Sequence, residues 1–308
     1  MASADDLKGV FTPVLTPFTS SYEVDRERYT KFCNWVVSQG AGLACFGTNS
    51  EANSLSVEER IELLELLVDA GIGSEKLMPG TGACALPDAH RLTEAATKHN
   101  CAATLMLPPF YYKGVSDEGL YRAYADVIQR VGSSDLRICL YHIPQVSGVP
   151  ITLGLIERLV KDYPNTVVGI KDSSGDWENT KAVLDNFPGF KVFPGAETSL
   201  LQGMRHGAVG CISATANINP GPISALAAAW QDDNADEQQA ALDKVRTVIT
   251  EYAPIPALKA TVAHHSNDAE WRNVRPPLVE LNGSAAGEVI EKLDGIGFEM
   301  PGLAAALA

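Results

Sequence analysis

Val167-Val168-Gly169-Ile170-Lys171-Asp172-Ser173-Ser174-Gly175-Asp176 runs from apolar residues through a single lysine into a polar, glycine-containing turn. A short apolar run closed in this way reads as a strand buried on both faces, the form strands take in parallel sheets. Seven further runs share it, at 10–13, 42–46, 76–79, 103–107, 137–141, 191–193 and 210–213. Longer helical patterns separate them. Ser56-Val57-Glu58-Glu59 has the form of a capping box, and Val57, Ile61, Leu64 and Val68 follow at spacings that predict one apolar helix face. Similar patterns occupy 118–131, 153–160 and 178–186. Eight strand–helix units in 308 residues predict an α/β chain closed into a (β/α)8 TIM barrel rather than an open doubly wound sheet. No G-x-G-x-x-G follows the first strand, which weakens the open-sheet alternative further. From about Pro220 the pattern turns helical, clearest at 235–252 and 287–293, with Pro254, Pro256, Pro276 and Pro277 read as breaks. The expected organisation is a catalytic barrel over 1–225 and a C-terminal helical extension over 226–308 packed on it.

Composition narrows the function. Lys and Arg number 24 against 38 Asp and Glu, a formal net charge of −14, with 45% hydrophobic and 20% charged residues. That is a globular profile with no basic run, and it argues against a nucleic-acid partner. The six cysteines, Cys33, Cys45, Cys84, Cys101, Cys139 and Cys211, stand singly and none has C-x-x-C spacing, so neither a zinc site nor a redox motif is expected. The opening Met1-Ala2-Ser3-Ala4-Asp5-Asp6 is acidic and lacks the apolar core of a signal peptide. The uncharged stretch 207–231 carries too much Asn, Ser, Gly and Pro for a membrane span. A cytoplasmic protein with no membrane partner is the expectation.

In a barrel of this kind the chemistry lies at the C-terminal ends of the strands. Those ends carry Gly47-Thr48-Asn49-Ser50-Glu51, Pro108-Pro109-Phe110-Tyr111-Tyr112-Lys113-Gly114 and Tyr141-His142-Ile143-Pro144-Gln145-Val146-Ser147-Gly148, together with the lysine stretch above. Lys171 enters the mouth behind apolar neighbours, and an amine taken out of water sheds its proton more readily and becomes a nucleophile toward carbonyls. The plainer alternative is a lysine paired with Asp172 or Asp176. Tyr141 and Tyr112 can carry the protons that imine formation needs, with Thr48 as the hydroxyl of a relay. Taken singly, each tyrosine reads first as a barrel-mouth packing residue with a hydrogen-bonded tip. The Thr48 backbone N–H together with Asn49 can hold a carboxylate; a plain strand-to-helix turn is the other reading. His90, His99 and His206 lie in helical patterns and His264-His265 in the tail, and no metal site is expected.

These four ordered motifs resemble those of the dihydrodipicolinate synthase / N-acetylneuraminate lyase family of class I aldolases, from Gly9-Val10-Phe11-Thr12-Pro13 to about Pro220. The resemblance implies a Schiff-base lysine at Lys171, an acid/base tyrosine at Tyr141 and a carboxylate grip at Thr48 and Asn49. It implies that Tyr112, or Tyr111 if the alignment slips by one, enters a neighbouring subunit's site, hence a homodimer or homotetramer. It also implies a 2-oxo acid such as pyruvate as substrate, with no cofactor beyond the imine itself. Ser173, two residues past the lysine, and Glu197, at the end of the seventh strand, are expected at the variable part of the substrate; a carboxylate at a helix N-terminus is the alternative for Glu197. Three departures stand out: Ser50 replaces a glycine, His142 an asparagine, and Val146 the arginine that lysine-biosynthetic synthases use for a second carboxylate. Valine makes no bidentate carboxylate contact, which argues against dihydrodipicolinate synthase proper. The expected function is a lyase cleaving or forming a 4-hydroxy-2-oxo acid. The rivals are a Schiff-base dehydratase or deaminase of a 2-keto-3-deoxy sugar acid or a hydroxyproline-derived imine, a phosphate-handling barrel enzyme, and a 2-oxo-acid-binding sensor.

Overall fold

In the computed structural model, which describes residues 7–308, every strand pairing within the two sheets is parallel. The acidic opening, 1–6, lies outside the described residues. The strands are β1 (Gly9–Thr12), β2 (Gly42–Leu43), β3 (Thr104–Met106), β4 (Ile138–His142), β5 (Val167–Asp172), β6 (Lys191–Pro194) and β7 (Gly210–Ile212). β1 pairs with both β2 and β7, and β3 to β6 pair in sequence. Two links close the wall into a barrel. Residues 77–80 bridge β2 to β3 through Leu43↔Leu77 and Gly80↔Leu105, with Leu105 N donating to Pro79 O at 2.9 Å. Val209 N donates to Val192 O at 3.1 Å between β6 and β7.

The expected strand at 76–79 is therefore a wall segment made of isolated bridges rather than a regular strand. Pro79 has no N–H to give a ladder. Gly80 also lies so close to the preceding wall that a Cβ there would sit 2.2 Å from Phe46 O. Inside the barrel, Phe11, Ala44, Met78, Leu105, Cys139, Tyr141, Phe193 and Ile212 form one apolar cluster, so the interior is packed and the site is confined to the mouth.

The capping box forms as expected: Glu59 N donates to Ser56 Oγ at 3.1 Å and Ser56 N to Glu59 Oε2 at 2.8 Å, opening helix Val57–Asp69. Its buried face is Arg60, Leu63, Leu64 and Leu67, however, and only Leu64 of the predicted stripe belongs to it. The rotation follows from Arg60, which donates to Gly80 O from inside the protein; burial lowers its pKa to about 10. Pro254 and Pro256 also read differently in the structure. They sit in the first turn of helix Pro254–Ser266, where a missing N–H costs nothing, so they mark a helix start rather than a break.

Helix Pro220–Ala228 runs through position 225, and the residues beyond it share the barrel's main core. Trp271 packs on Phe32 with ring centroids 4.8 Å apart. No helix among the described residues is long and apolar enough to cross a membrane.

Candidate active site

The pairing of β4 with β5 creates the centre of the site. Ile138 pairs with Val167 but Cys139 pairs with Gly169, so one residue of β5 is skipped. After that shift Tyr141 and Lys171 are register partners and lie side by side. Lys171, 2% exposed, places Nζ 4.2 Å from the Tyr141 ring centroid. The Tyr141 hydroxyl meets Thr48 Oγ1 at 3.1 Å. A cavity of about 380 Å³ opens over this trio, lined also by Asn49, Ser173 and Ala214.

The alternative partners of Lys171 are engaged elsewhere. Asp172 accepts from Ser174 N at 2.9 Å, Asn179 Nδ2 at 2.8 Å and Thr180 Oγ1 at 2.7 Å. Asp176 caps helix Trp177–Asn186 by accepting from Glu178 N at 3.0 Å. The Lys171 amine makes no hydrogen bond or ion pair among the described residues, which leaves it free to meet a ligand.

The loop after β2 is a tight turn in which Phe46 (φ 60°) and Glu51 (φ 55°) take left-handed backbone. Ser50 N donates to Gly47 O and Glu51 N to Thr48 O, each at 3.1 Å. The N–H groups of Thr48 and Asn49 make no hydrogen bond among the described residues, an arrangement suited to an anion. The loop is fixed from below. Glu51 and Lys259, both with fully buried side chains, form an ion pair at 2.5 Å, and Arg275 N donates to Glu51 Oε2 at 3.0 Å. Burial lowers the Lys259 pKa to about 8. Sequence reading passed over this pair, because its members stand 208 positions apart and neither motif alone signals the other.

The remaining predicted residues divide. Ser173 is at the cavity, its N–H donating to His142 O at 2.8 Å. Glu197 does not line the cavity: it is 1% exposed and accepts hydroxyl hydrogen bonds from Ser213 and Thr215 behind the wall. Tyr112 is 74% exposed, packed edge-on against Tyr111 and outside the cavity of its own chain. His142 accepts from Ile151 N through Nδ1 at 3.0 Å, and burial holds its pKa below the ordinary histidine value. Arg246 lines the cavity and was missed; one arginine in an amphipathic helix pattern reads as a solvated residue. No cluster of three metal-ligating side chains occurs among the described residues.

Gly195 shows how closely the cavity rim is fitted. A Cβ there would lie 2.1 Å from Ser173 Oγ and 2.6 Å from Ser173 Cα, in a loop that must give way. Gly195→Ala is expected to cost about 1–3 kcal/mol in urea unfolding and to raise KM through displacement of Ser173.

The site thus joins an unpaired lysine amine and a hydroxyl-linked tyrosine at the C-terminal mouth of a parallel α/β barrel. The chain matches the model of the Dihydrodipicolinate synthetase family over residues 6–295. It is 36% identical over 281 residues to an uncharacterized DapA-like lyase of Chloroflexus aurantiacus, covering 89% of this chain and 92% of that one. It is 33% identical over 295 residues to the 4-hydroxy-tetrahydrodipicolinate synthase of Thermus thermophilus, covering 93% and 94%. The dihydrodipicolinate synthase of Agrobacterium tumefaciens superposes with a TM-score of 0.87 at 29% identity, covering 94% of this chain and 99% of that one. The protein belongs to the dihydrodipicolinate synthetase family, whose relatives carry the names of lyases and synthases.

Proposed function

We propose that the protein is a class I lyase that cleaves, or forms, a 4-hydroxy-2-oxo acid through an imine on Lys171. The observation that carries this reading is the buried, unpaired Lys171 amine beside Tyr141, whose hydroxyl meets Thr48 at 3.1 Å. A free amine at the mouth of a barrel is a nucleophile toward a ketone, and a linked phenol and alcohol move the protons that imine formation requires.

In the cleavage direction the Lys171 amine adds to the C2 ketone, and the carbinolamine loses water to give a protonated imine. Tyr141 takes the proton of the 4-hydroxyl as the C3–C4 bond breaks. Its electron pair moves into the imine, giving an enamine and releasing an aldehyde. Protonation at C3 and addition of water then return the amine and pyruvate. The N–H groups of Thr48 and Asn49 hold the C1 carboxylate, and the imine is the only electron sink the chemistry needs. The relay is completed by Tyr112 or Tyr111 of a second copy in a dimer or tetramer. The synthase reaction proper is less well supported, because Val146 stands where the lysine-biosynthetic synthases place the arginine for their second substrate's carboxylate.

Borohydride reduction in the presence of pyruvate tests the reading. The expected product, by intact and peptide mass spectrometry, is an adduct of pyruvate less water plus two hydrogens on Lys171. A folded protein that yields no adduct with pyruvate or with longer 2-oxo acids overturns the reading and leaves reversible binding in its place. Tyr141→Phe is expected to slow imine formation and pyruvate release by about a hundredfold or more, since it removes the proton carrier and leaves the ring. Single-turnover trapping measures the first effect and a lactate dehydrogenase assay the second.

A further inference from the structure

The cavity over Lys171 holds a second cation. Arg246 reaches it from helix Ala235–Thr250, with a side chain 24% exposed. Its guanidinium makes no hydrogen bond among the described residues. The nearest acid is Glu197, whose Oε2 lies 3.7 Å from Arg246 Nη1, beyond hydrogen-bond range. Both Glu197 oxygens already accept hydroxyls, Ser213 on Oε2 and Thr215 on Oε1. Glu197 is therefore ion-paired with the guanidinium at 3.7 Å without taking a hydrogen bond from it.

The helix is pinned where it carries Arg246. Gln239 stands seven residues earlier, about two turns back on the same face. Its amide donates to Glu197 O at 2.9 Å, and its oxygen accepts from Leu201 N at 3.1 Å. The buried Cys211 thiol on β7 is held above its ordinary pKa by burial and by Glu197, while Lys171 and Arg246 both oppose the shift. One wall residue thus lies within electrostatic reach of both cations. The acids that also line the cavity, Asp172 and Asp176, are engaged as described above.

An arginine carries five N–H donors in a planar fork that matches a carboxylate. A largely buried fork that gives no hydrogen bond to the described residues, fixed in a cavity beside the lysine, is a binding site for an anionic part of the ligand. The C1 carboxylate of a 2-oxo acid has its own donors at Thr48 and Asn49. We infer that Arg246 receives a second carboxylate, so that the substrate is a dianionic 2-oxo acid with an acidic group at the end remote from the imine. The inference rests on the imine reading and adds the substrate class to it. It also assigns Glu197 a positioning role through Arg246 in place of direct substrate contact.

The test compares imine trapping by borohydride on Lys171 across concentrations of pyruvate, 2-oxopentanoate and 2-oxoglutarate. The last two have the same chain length and differ in the distal carboxylate. The native protein is expected to take 2-oxoglutarate at least about tenfold more tightly than 2-oxopentanoate, the scale of a charge-assisted contact. Arg246→Gln is expected to bring those two acids within about threefold of one another. Arg246→Lys, which keeps the charge but not the fork, is expected to fall between them and guards against a folding defect in the glutamine variant. Equal affinities in the native protein, or equal loss for both acids in Arg246→Gln, would overturn the subsite while pyruvate trapping leaves the imine intact. Absence of trapping with all three acids would instead remove the imine reading and the subsite with it.

Discussion

Lys171→Ala is expected to lose at least about 10⁴-fold in kcat while the protein stays folded. The magnitude is that of removing a nucleophile on which every later step depends, since neighbouring groups then act on an intermediate that no longer forms. The preserved fold follows from the contacts. The Lys171 amine makes no ion pair or hydrogen bond among the described residues, and it lies 4.2 Å from the centroid of the Tyr141 ring. Truncation therefore leaves no stranded partner. It removes a buried, unpaired amine, a group whose burial opposes folding when charged. Urea unfolding is expected to show a stability within about 1 kcal/mol of the native protein, or a gain, because that burial cost offsets the packing lost with the side chain. Turnover within a hundredfold of the native rate would mean that Lys171 is not the nucleophile. Loss of activity together with loss of stability would mean that it is a structural residue.

How much of this was legible before the structure depends on the range of the interaction. Position singles out Lys171, Tyr141 and Thr48, because strand ends in a parallel barrel converge on one mouth, but it left a paired lysine, packed rings and a plain turn equally open, and the roles came from the family resemblance. Their contact depends on the skipped residue in β5 opposite Ile138 and Cys139. Nothing in Val167-Val168-Gly169-Ile170 announces it, and without it Tyr141 would not be paired with Lys171. The helix after Ser56 shows the same division. The capping box is local and forms as expected, whereas the rotation of the helix depends on where Arg60 finds Gly80 O, a tertiary contact. Glu197 was expected at the variable part of the substrate, but it does not line the cavity. Its partners Ser213 and Thr215 both lie in the turn that follows β7, and their hydroxyls take up its carboxylate oxygens. Arg246 and Lys259 come from the C-terminal helices, which read as an added segment although they complete the cavity and anchor its loop.

That anchoring leads to the second large effect. Glu51→Gln is expected to lower unfolding stability by about 3–5 kcal/mol, the cost of leaving one member of a buried ion pair uncompensated. Both side chains are fully buried, and among the described residues Lys259 has Glu51, the Asn273 carbonyl at 2.7 Å and the Phe18 ring face at 4.5 Å in place of water. Lys259→Met strands Glu51 in the same way. Combining Glu51→Leu with Lys259→Met removes both charges and is expected to recover most of the loss, which a double-mutant cycle in urea would measure.

The pH dependence has a definite sign. Burial lowers the Lys259 pKa from the ordinary 10.5 to about 8, so between those values the unfolded chain binds more protons than the folded one. Stability from this group therefore rises with pH across that window, and the gap between the native protein and Lys259→Met is expected to widen from pH 8 to pH 10. The functional consequence follows from the backbone. Glu51 holds a left-handed conformation (φ 55°) at the end of the turn that presents Thr48 and Asn49, and Arg275, bound to Glu59 and to Ser54 O, ties the same turn from its other side. Releasing Glu51 loosens the grip on the substrate carboxylate without touching Lys171. Glu51→Gln is thus expected to raise KM by about tenfold or more, with a smaller fall in kcat. An equal fall in kcat at unchanged KM would place the role of Glu51 in the chemistry instead of in the loop.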